Sequence, residues 1–318
     1  MHYRRLGKSG IKISELSYGS WVTFGSQVDE KLAAELIQAA YDQGVNFFDC
    51  ADAYAEGKAE LIMGQAVKGI QRETLLISSK VFWPTMPGSN GRGLSRKHIT
   101  ESIHATLKRM GLEYLDLYFC HRYDPDTPIE EVVLTMNILI QQGKILYWGT
   151  SEWEPAQIAL AYGFAKENHL IPPAMEQPQY SLFHRTRVED HVMPLAVELG
   201  IGLTTFSPLY QGILSGKYND KLPTGTRASL ENYAYLKERI TPERIGRVRQ
   251  LTELAKELGC TTAQLSLAWI LRRKEVSAII MGATRLEQLD ENLGSAEIVD
   301  KLTNEVLEKI DKIMEGEE

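Results

Sequence analysis

Apolar positions along the chain fall into two alternating patterns. Short, nearly continuous apolar runs recur at "LSYGS", "GVNFFDC", "TLLISSK", "YLDLYFCH", "ILYWGTS", "AMEQPQY", "IGLTTFS" and "VSAIIMG". Runs of this kind suit parallel strands covered on both faces, where strict alternation is lost. The segments between them carry a helical period. "DEKLAAELIQAAYDQG" sets Leu32, Leu36, Ala40 and Tyr41 on one face, with Asp29 as N-cap and Gly44 as stop. "LSRKHITESIHATLKRMG" reads as a helix capped by Ser95, with Ile99, Ile103, Leu107 and Met110 inward. "TPIEEVVLTMNILIQQG" opens with Pro128 in its first turn and closes at Gly143.

Eight strand–helix units predict a closed (β/α)8 TIM barrel, an α/β fold, with an N-terminal hairpin and a single domain spanning 1–318. A doubly wound dinucleotide fold is the rival, but no G-x-G-x-x-G follows a strand. The stretch between the seventh and eighth barrel strands is too long for one crossover helix. Its first half, "PLYQGILSGKYNDKLPTGTRASLENY", is rich in Gly, Pro and polar residues and predicts an elaborated loop.

The barrel reading changes how the strand ends are understood. The second ends on Asp49, the third on Lys80, the fourth on His121, the fifth on Ser151, the sixth on Gln177 and the seventh on Ser207. Singly, each is an ordinary turn former. Together they converge on the C-terminal mouth, where barrel enzymes carry out chemistry. Tyr54 follows Asp49 by five residues. An ammonium about 4 Å from a phenol favours the phenolate by on the order of 4 kcal/mol, before desolvation is counted. Lys80 is therefore expected to lower the Tyr54 pKa and make it a general acid, with Asp49 orienting Lys80. His121 would donate to a carbonyl oxygen, and this set suits protonation of a carbonyl that receives a hydride. Three aromatics are candidates for the wall of an apolar substrate pocket: Trp21, Phe82 and Trp83 all follow strand ends.

Composition narrows the function classes. The 318 residues are 43% hydrophobic and 24% charged, with a formal net charge of -7, which argues against a nucleic-acid surface. No apolar run approaches the ~20 residues of a membrane helix, and the N-terminal stretch lacks the apolar core of a secretion signal. Cys50, Cys120 and Cys260 are widely spaced and odd in number, so no disulfide framework is implied. A cytoplasmic location is expected. Cys50 and Cys120 adjoin Asp49 and His121, but neighbours on a strand face opposite ways, so no metal site is expected. "GILSGKY" lacks the spacing and the Ser or Thr of an ATP loop. His98, His104 and His169 are expected on the surface.

The set Asp49, Tyr54, Lys80 and His121 resembles the aldo-keto reductase tetrad. The likeness runs through "LGKSG", "WVTFG", "YAEGKAE", "GRGLSRKHI", "YWGTS", "SPLYQGILSGKY", "RASL" and "MGATRLEQLDEN". Within that family the chain is most similar to the potassium-channel β-subunit-like reductases. The resemblance implies NADP(H) bound in extended form and NADPH-dependent reduction of small aldehydes or ketones. It places Ser151 and Gln177 on the carboxamide, Phe206 on the nicotinamide, and Ser207, Leu209, Gly212 and Lys217 along the pyrophosphate. Arg227, Thr284, Arg285 and Gln288 would hold the adenosine end and its 2′-phosphate, with Glu291 and Asn292 on the adenine, and Trp21 and Gly282 are further cofactor contacts that the resemblance implies. Lys217, Arg227 and Arg285 supply the cations that an anionic cofactor needs on an acidic protein. The helix starting near Arg285 offers free N–H groups.

The resemblance also implies a homo-oligomer, a tetramer or octamer. The chain departs from the channel subunits at His121, where they carry Asn, and at Glu152, where reductases often have Asn and channel subunits Arg. Phe206 stands where Trp or Tyr is usual. Two other functions remain open at this point. One is a redox-sensing regulatory subunit that binds NADP(H) and a protein partner with slow turnover. The other is a Schiff-base lyase using Lys80 as nucleophile.

Overall fold

The computed structural model describes residues 1–316 apart from Val22, Ser26 and 221–234. Eight parallel strands close into a barrel: β3 (Leu16–Gly19), β4 (Phe47–Asp49), β5 (Leu76–Val81), β6 (Leu115–Cys120), β7 (Ile145–Ser151), β8 (Met175–Gln177), β9 (Gly202–Phe206) and β10 (Val276–Met281), with β10 pairing back onto β3. All eight coincide with the apolar runs. Their ends shift by one residue in places: β5 continues to Val81, β6 stops at Cys120 and β9 at Phe206.

The strands are separated by α1 (Glu30–Asp42), α2 (Lys58–Ala66), α3 (Arg96–Met110), α4 (Ile129–Gln141), α5 (Pro155–Glu167) and α6 (Met193–Leu199). After β9 come α7 (Tyr235–Arg239), α8 (Pro242–Glu257) and α9 (Thr262–Leu271), and after β10 come α10 (Leu286–Leu293) and α11 (Asn304–Met314). Local chemistry explains their limits. The Asp29 carboxylate accepts from the Leu32 N–H at 2.9 Å and starts α1, whose end is followed by Gly44 at φ +89°, a value costly for other residues. Ser95 caps α3 by accepting from the His98 N–H at 3.2 Å. Pro128 sits at the N-cap of α4, one residue ahead of the expected first turn.

Two apolar layers result. The larger lies between strands and helices and includes Leu36, Phe48, Ile77, Ile103, Trp148 and Trp269. The smaller fills the barrel, where Phe47, Leu76, Leu117, Phe119, Met175 and Ile280 meet Leu6 and Ile13. Leu6 and Ile13 come from the antiparallel hairpin β1 (Tyr3–Arg5) and β2 (Lys12–Ser14) and its surroundings. Inner and outer layers alternate along each strand, as side-chain alternation requires. Cys50 and Cys120 fall in the outer layer, facing away from the interior, and burial pushes both thiols well up.

Candidate active site

Register builds the site. In the β4–β5 pairing Asp49 lies opposite Ser78, and Lys80 is two residues further along the same face of β5. Ser78 Oγ donates to Asp49 Oδ1 at 2.7 Å, and Lys80 Nζ donates to Asp49 Oδ2 at 2.6 Å. Lys80 is fully buried and spends its other donors on the Cys50 carbonyl at 2.7 Å and the Tyr54 hydroxyl at 3.3 Å. From the far side of the mouth, Gln177 Nε2 donates to Asp49 Oδ1 at 3.2 Å, and Ser151 Oγ donates to the Gln177 carbonyl at 3.0 Å. Residues far apart in sequence thus share one hydrogen-bonded cluster.

Tyr54 is delivered by a tight turn. Ala55, Glu56 and Gly57 take φ of 49°, 56° and 86° before α2 begins, so two non-glycine residues hold left-handed conformations. Strain of that kind persists only where surrounding contacts impose it. The Tyr54 side chain just before that turn meets the Lys80 ammonium and the His121 ring, whose centroid is 5.8 Å from that of Tyr54 at an interplanar angle of 75°.

The electrostatics correct one expectation. The Tyr54 hydroxyl is pushed well above its ordinary pKa, by burial first and by the Asp49 carboxylate second. The attraction of the Lys80 ammonium for the phenolate does not offset these, because that ammonium is engaged at closer range by Asp49 and by a carbonyl. The phenol therefore stays protonated. His121 moves the other way: burial, then Lys80 and Arg122, hold its pKa well below 6.5, so the imidazole is neutral. Its Nδ1 is buried without a partner among the described residues.

The remaining expected residues spread around this mouth. Trp21 and Phe206 stack edge to face at 6.1 Å. Trp83 is 38% exposed and lies 6.1 Å from His121, while Phe82 is buried beneath it at 5.1 Å, in the strand–helix layer. After β9, Ser207 and Gln211 take positive φ, and at Gly212, φ +95°, the Lys217 side chain lies so close that a Cβ would come within 2.6 Å of its Nζ. Leu209 N-caps the short helical turn that contains Gly212. At α10, Gln288 Oε1 accepts from the Thr284 N–H at 2.9 Å and its hydroxyl at 3.0 Å, and Asn292 Nδ2 donates to the Gly282 carbonyl at 3.3 Å. Arg285 occupies the N-cap, largely exposed and 3.9 Å from Glu287, and Glu291 follows in the last turn. Arg227 lies outside the described residues.

Glu152 has φ +58° and turns its carboxylate away from Ser151. It accepts from the Gln179 N–H at 2.6 Å and faces Arg187 at 3.8 Å. Behind it Glu176 is buried, bonded by Thr150 Oγ1, and raised by burial to about 8. Sequence reasoning missed Ser78, whose signal was its i−2 spacing from Lys80, and a second buried polar group outside β5 and β6. There Ser102 Oγ donates to Asp52 at 2.7 Å, Ser79 Oγ donates to Glu60, and Arg109 pairs with Glu60. Burial raises Asp52 to about 7. His98 belongs to this buried side of α3, contrary to the expected surface position, because it lies one turn ahead of Ser102 on the inward stripe. His104 and His169 are exposed.

The aldo/keto reductase family model matches residues 15–315. The chain belongs to the aldo/keto reductase family. It is 48% identical over 320 aligned residues to an Arabidopsis thaliana protein described as a probable voltage-gated potassium channel subunit beta, covering 99% of this chain and 97% of that one. A protein of the same description from Oryza sativa subsp. japonica is 46% identical over the same shares. Membership of this oxidoreductase family fits the barrel and the mouth cluster. Among the described residues, no helix is long and apolar enough to cross a membrane, and no group of three His, Cys, Asp or Glu could hold a metal ion.

Proposed function

We propose that the protein reduces small aldehydes or ketones to alcohols with NADPH, using Tyr54 as general acid. The observation that carries this reading is Lys80 Nζ, 2.6 Å from Asp49 and 3.3 Å from a half-buried, protonated Tyr54. The cofactor fits the residues present. Trp21 and Phe206 offer aromatic surface for the nicotinamide, and Ser151 and Gln177 offer polar atoms for its carboxamide. The Gly212 backbone and Lys217 suit the pyrophosphate, while the α10 N-terminus with Arg285 suits the 2′-phosphate. When bound, NADPH supplies the hydride that forms the new C–H bond.

The chain's own residues handle the oxygen. The carbonyl oxygen sits between the Tyr54 hydroxyl and the neutral His121 ring, which offers an N–H as negative charge develops. The Tyr54 O–H bond breaks as its proton passes to that oxygen. The resulting phenolate lies 3.3 Å from the ammonium. At an effective dielectric near 20 that attraction is about 5 kcal/mol, and it exists only once the proton has left. Lys80 thus leaves the resting phenol loaded and favours the transition state. Arrangement of the mouth supports reduction over Schiff-base chemistry, since Lys80 is enclosed by three acceptors.

The second reading is a redox-sensing regulatory subunit for a protein partner. The two plant relatives' description as probable potassium channel β subunits favours it. Purified protein mixed with NADPH and 4-nitrobenzaldehyde separates the two readings by loss of nicotinamide absorbance. A reductase oxidises many equivalents. Tight cofactor binding with one slow turnover across a carbonyl panel rejects the reductase reading in favour of the sensor.

A further inference from the structure

Arg122 follows His121 directly and is absent from the tetrad. Its Nη1 donates to the His121 carbonyl and reaches Ser151 Oγ at 3.5 Å, and its guanidinium carbon lies 5.7 Å from the Trp83 ring centroid. Tyr54, His121, Trp83 and Arg122 form a consecutive wall, with spacings of 5.8, 6.1 and 5.7 Å. A carbonyl held between Tyr54 and His121 therefore lays its substituent along Trp83 toward a positive charge.

Neighbouring acids do not neutralise that charge. Asp49 is paired with Lys80. Asp124 accepts from the Leu94 and Asp126 N–H groups and the Thr127 hydroxyl, and Glu152 faces Arg187. Among the described residues, no carboxylate is ion-paired with Arg122. Cofactor phosphates do not account for it either, because Lys217 and Arg285 serve the loop after β9 and the start of α10, whereas Arg122 is at the nicotinamide end.

We propose that Arg122 selects carbonyl substrates that carry a carboxylate a few bonds from the carbonyl carbon. A planar guanidinium beside an indole face suits a flat anion that can accept two parallel hydrogen bonds. The proposal deepens the reductase reading and rests on it.

The test compares isosteric substrates, 4-carboxybenzaldehyde and 4-nitrobenzaldehyde, and their 2-substituted isomers. The readout is the ratio of kcat/KM within each pair. Losing a charged hydrogen-bonded contact lowers affinity by about 10- to 100-fold. Arg122→Met is therefore expected to lower the carboxyl-to-nitro ratio by about that factor, mainly through KM for the carboxyl probe, with Arg122→Lys recovering part. A structural defect or a changed Tyr54 environment slows both probes and leaves the ratio fixed; an unchanged ratio overturns the proposal. The unmodified protein gives an independent check: benzoate should compete with 4-nitrobenzaldehyde at about tenfold lower concentration than benzamide, and equal inhibition overturns the proposal. Turnover of the nitro probe with a fixed ratio removes only the role of Arg122, whereas no turnover of any probe removes the reductase reading beneath it.

Discussion

Replacing Lys80 with Met tests the cluster at its centre. Met keeps most of the buried stem, so packing changes little, but three donated contacts disappear at once: Asp49 at 2.6 Å, the Cys50 carbonyl at 2.7 Å and Tyr54 at 3.3 Å. Side-chain exposure is 0% for Lys80 and 3% for Asp49, so the stranded carboxylate keeps only Ser78 and Gln177. Removing one partner of a buried pair costs about 3–5 kcal/mol. Unfolding entropy near 2.1 cal/mol/K per residue gives about 0.7 kcal/mol per degree for this chain, so Tm should fall by ~4–7 °C. Adding Asp49→Asn removes the stranded charge and should recover part of that loss, a coupling of at least about 1 kcal/mol in a double-mutant cycle. Urea and thermal unfolding of the four proteins measure it. A Lys80→Met variant within about 0.5 kcal/mol of the parent, or purely additive single changes, refutes the buried-pair reasoning.

Arg285→Ala should weaken NADPH binding by about tenfold or more while barely changing NADH, since only NADPH carries the 2′-phosphate; fluorescence titration with both cofactors measures the difference. Glu176, raised to about 8, binds a proton in the folded chain that the unfolded chain releases near pH 4–5. Its stabilisation is therefore complete below that range and lost as pH rises to about 8. Glu176→Gln should flatten this alkaline decline in Tm, and an unchanged slope counts against it. His98 and His121 are held neutral mainly by burial, so they oppose folding only as pH falls below about 6.5, where the unfolded histidines charge first. Unfolding midpoints between pH 5 and 7 should drop on the acid side, less steeply in His98→Gln. Glu152→Ala removes the acceptor for the Gln179 N–H and should cost about 1.5–3 kcal/mol in urea.

The eight strands were legible because burial on both faces leaves continuous apolar runs, and no other pattern competes with them. Asp49, Lys80, Ser151 and Gln177 were legible because strand parity and polarity coincide at one end of the barrel. Tyr54 could be associated with Asp49 by spacing, but its turn could not be read: nothing in "YAEG" announces left-handed Ala55 and Glu56. The inward position of His98 was hidden because one imidazole on a helix is compatible with either face until Ser102 and Asp52 are seen together. The direction of the Tyr54 shift also required structure. Pairwise attraction to Lys80 was foreseeable, whereas the desolvation of the hydroxyl and the prior claim of Asp49 were not. Arg122 left no sequence signal beyond adjacency to His121, since its significance lies in the acids that do not reach it.

In the proposed reductase, Tyr54 supplies the proton while other groups hold the cofactor. Steady-state NADPH oxidation with 4-nitrobenzaldehyde, paired with NADPH titration by fluorescence, tests this in Tyr54→Phe, which removes one oxygen atom. Cofactor affinity is expected to stay within about twofold of the parent while turnover falls by about 100-fold or more. Turnover close to that of the parent, with NADPH still bound, contradicts it.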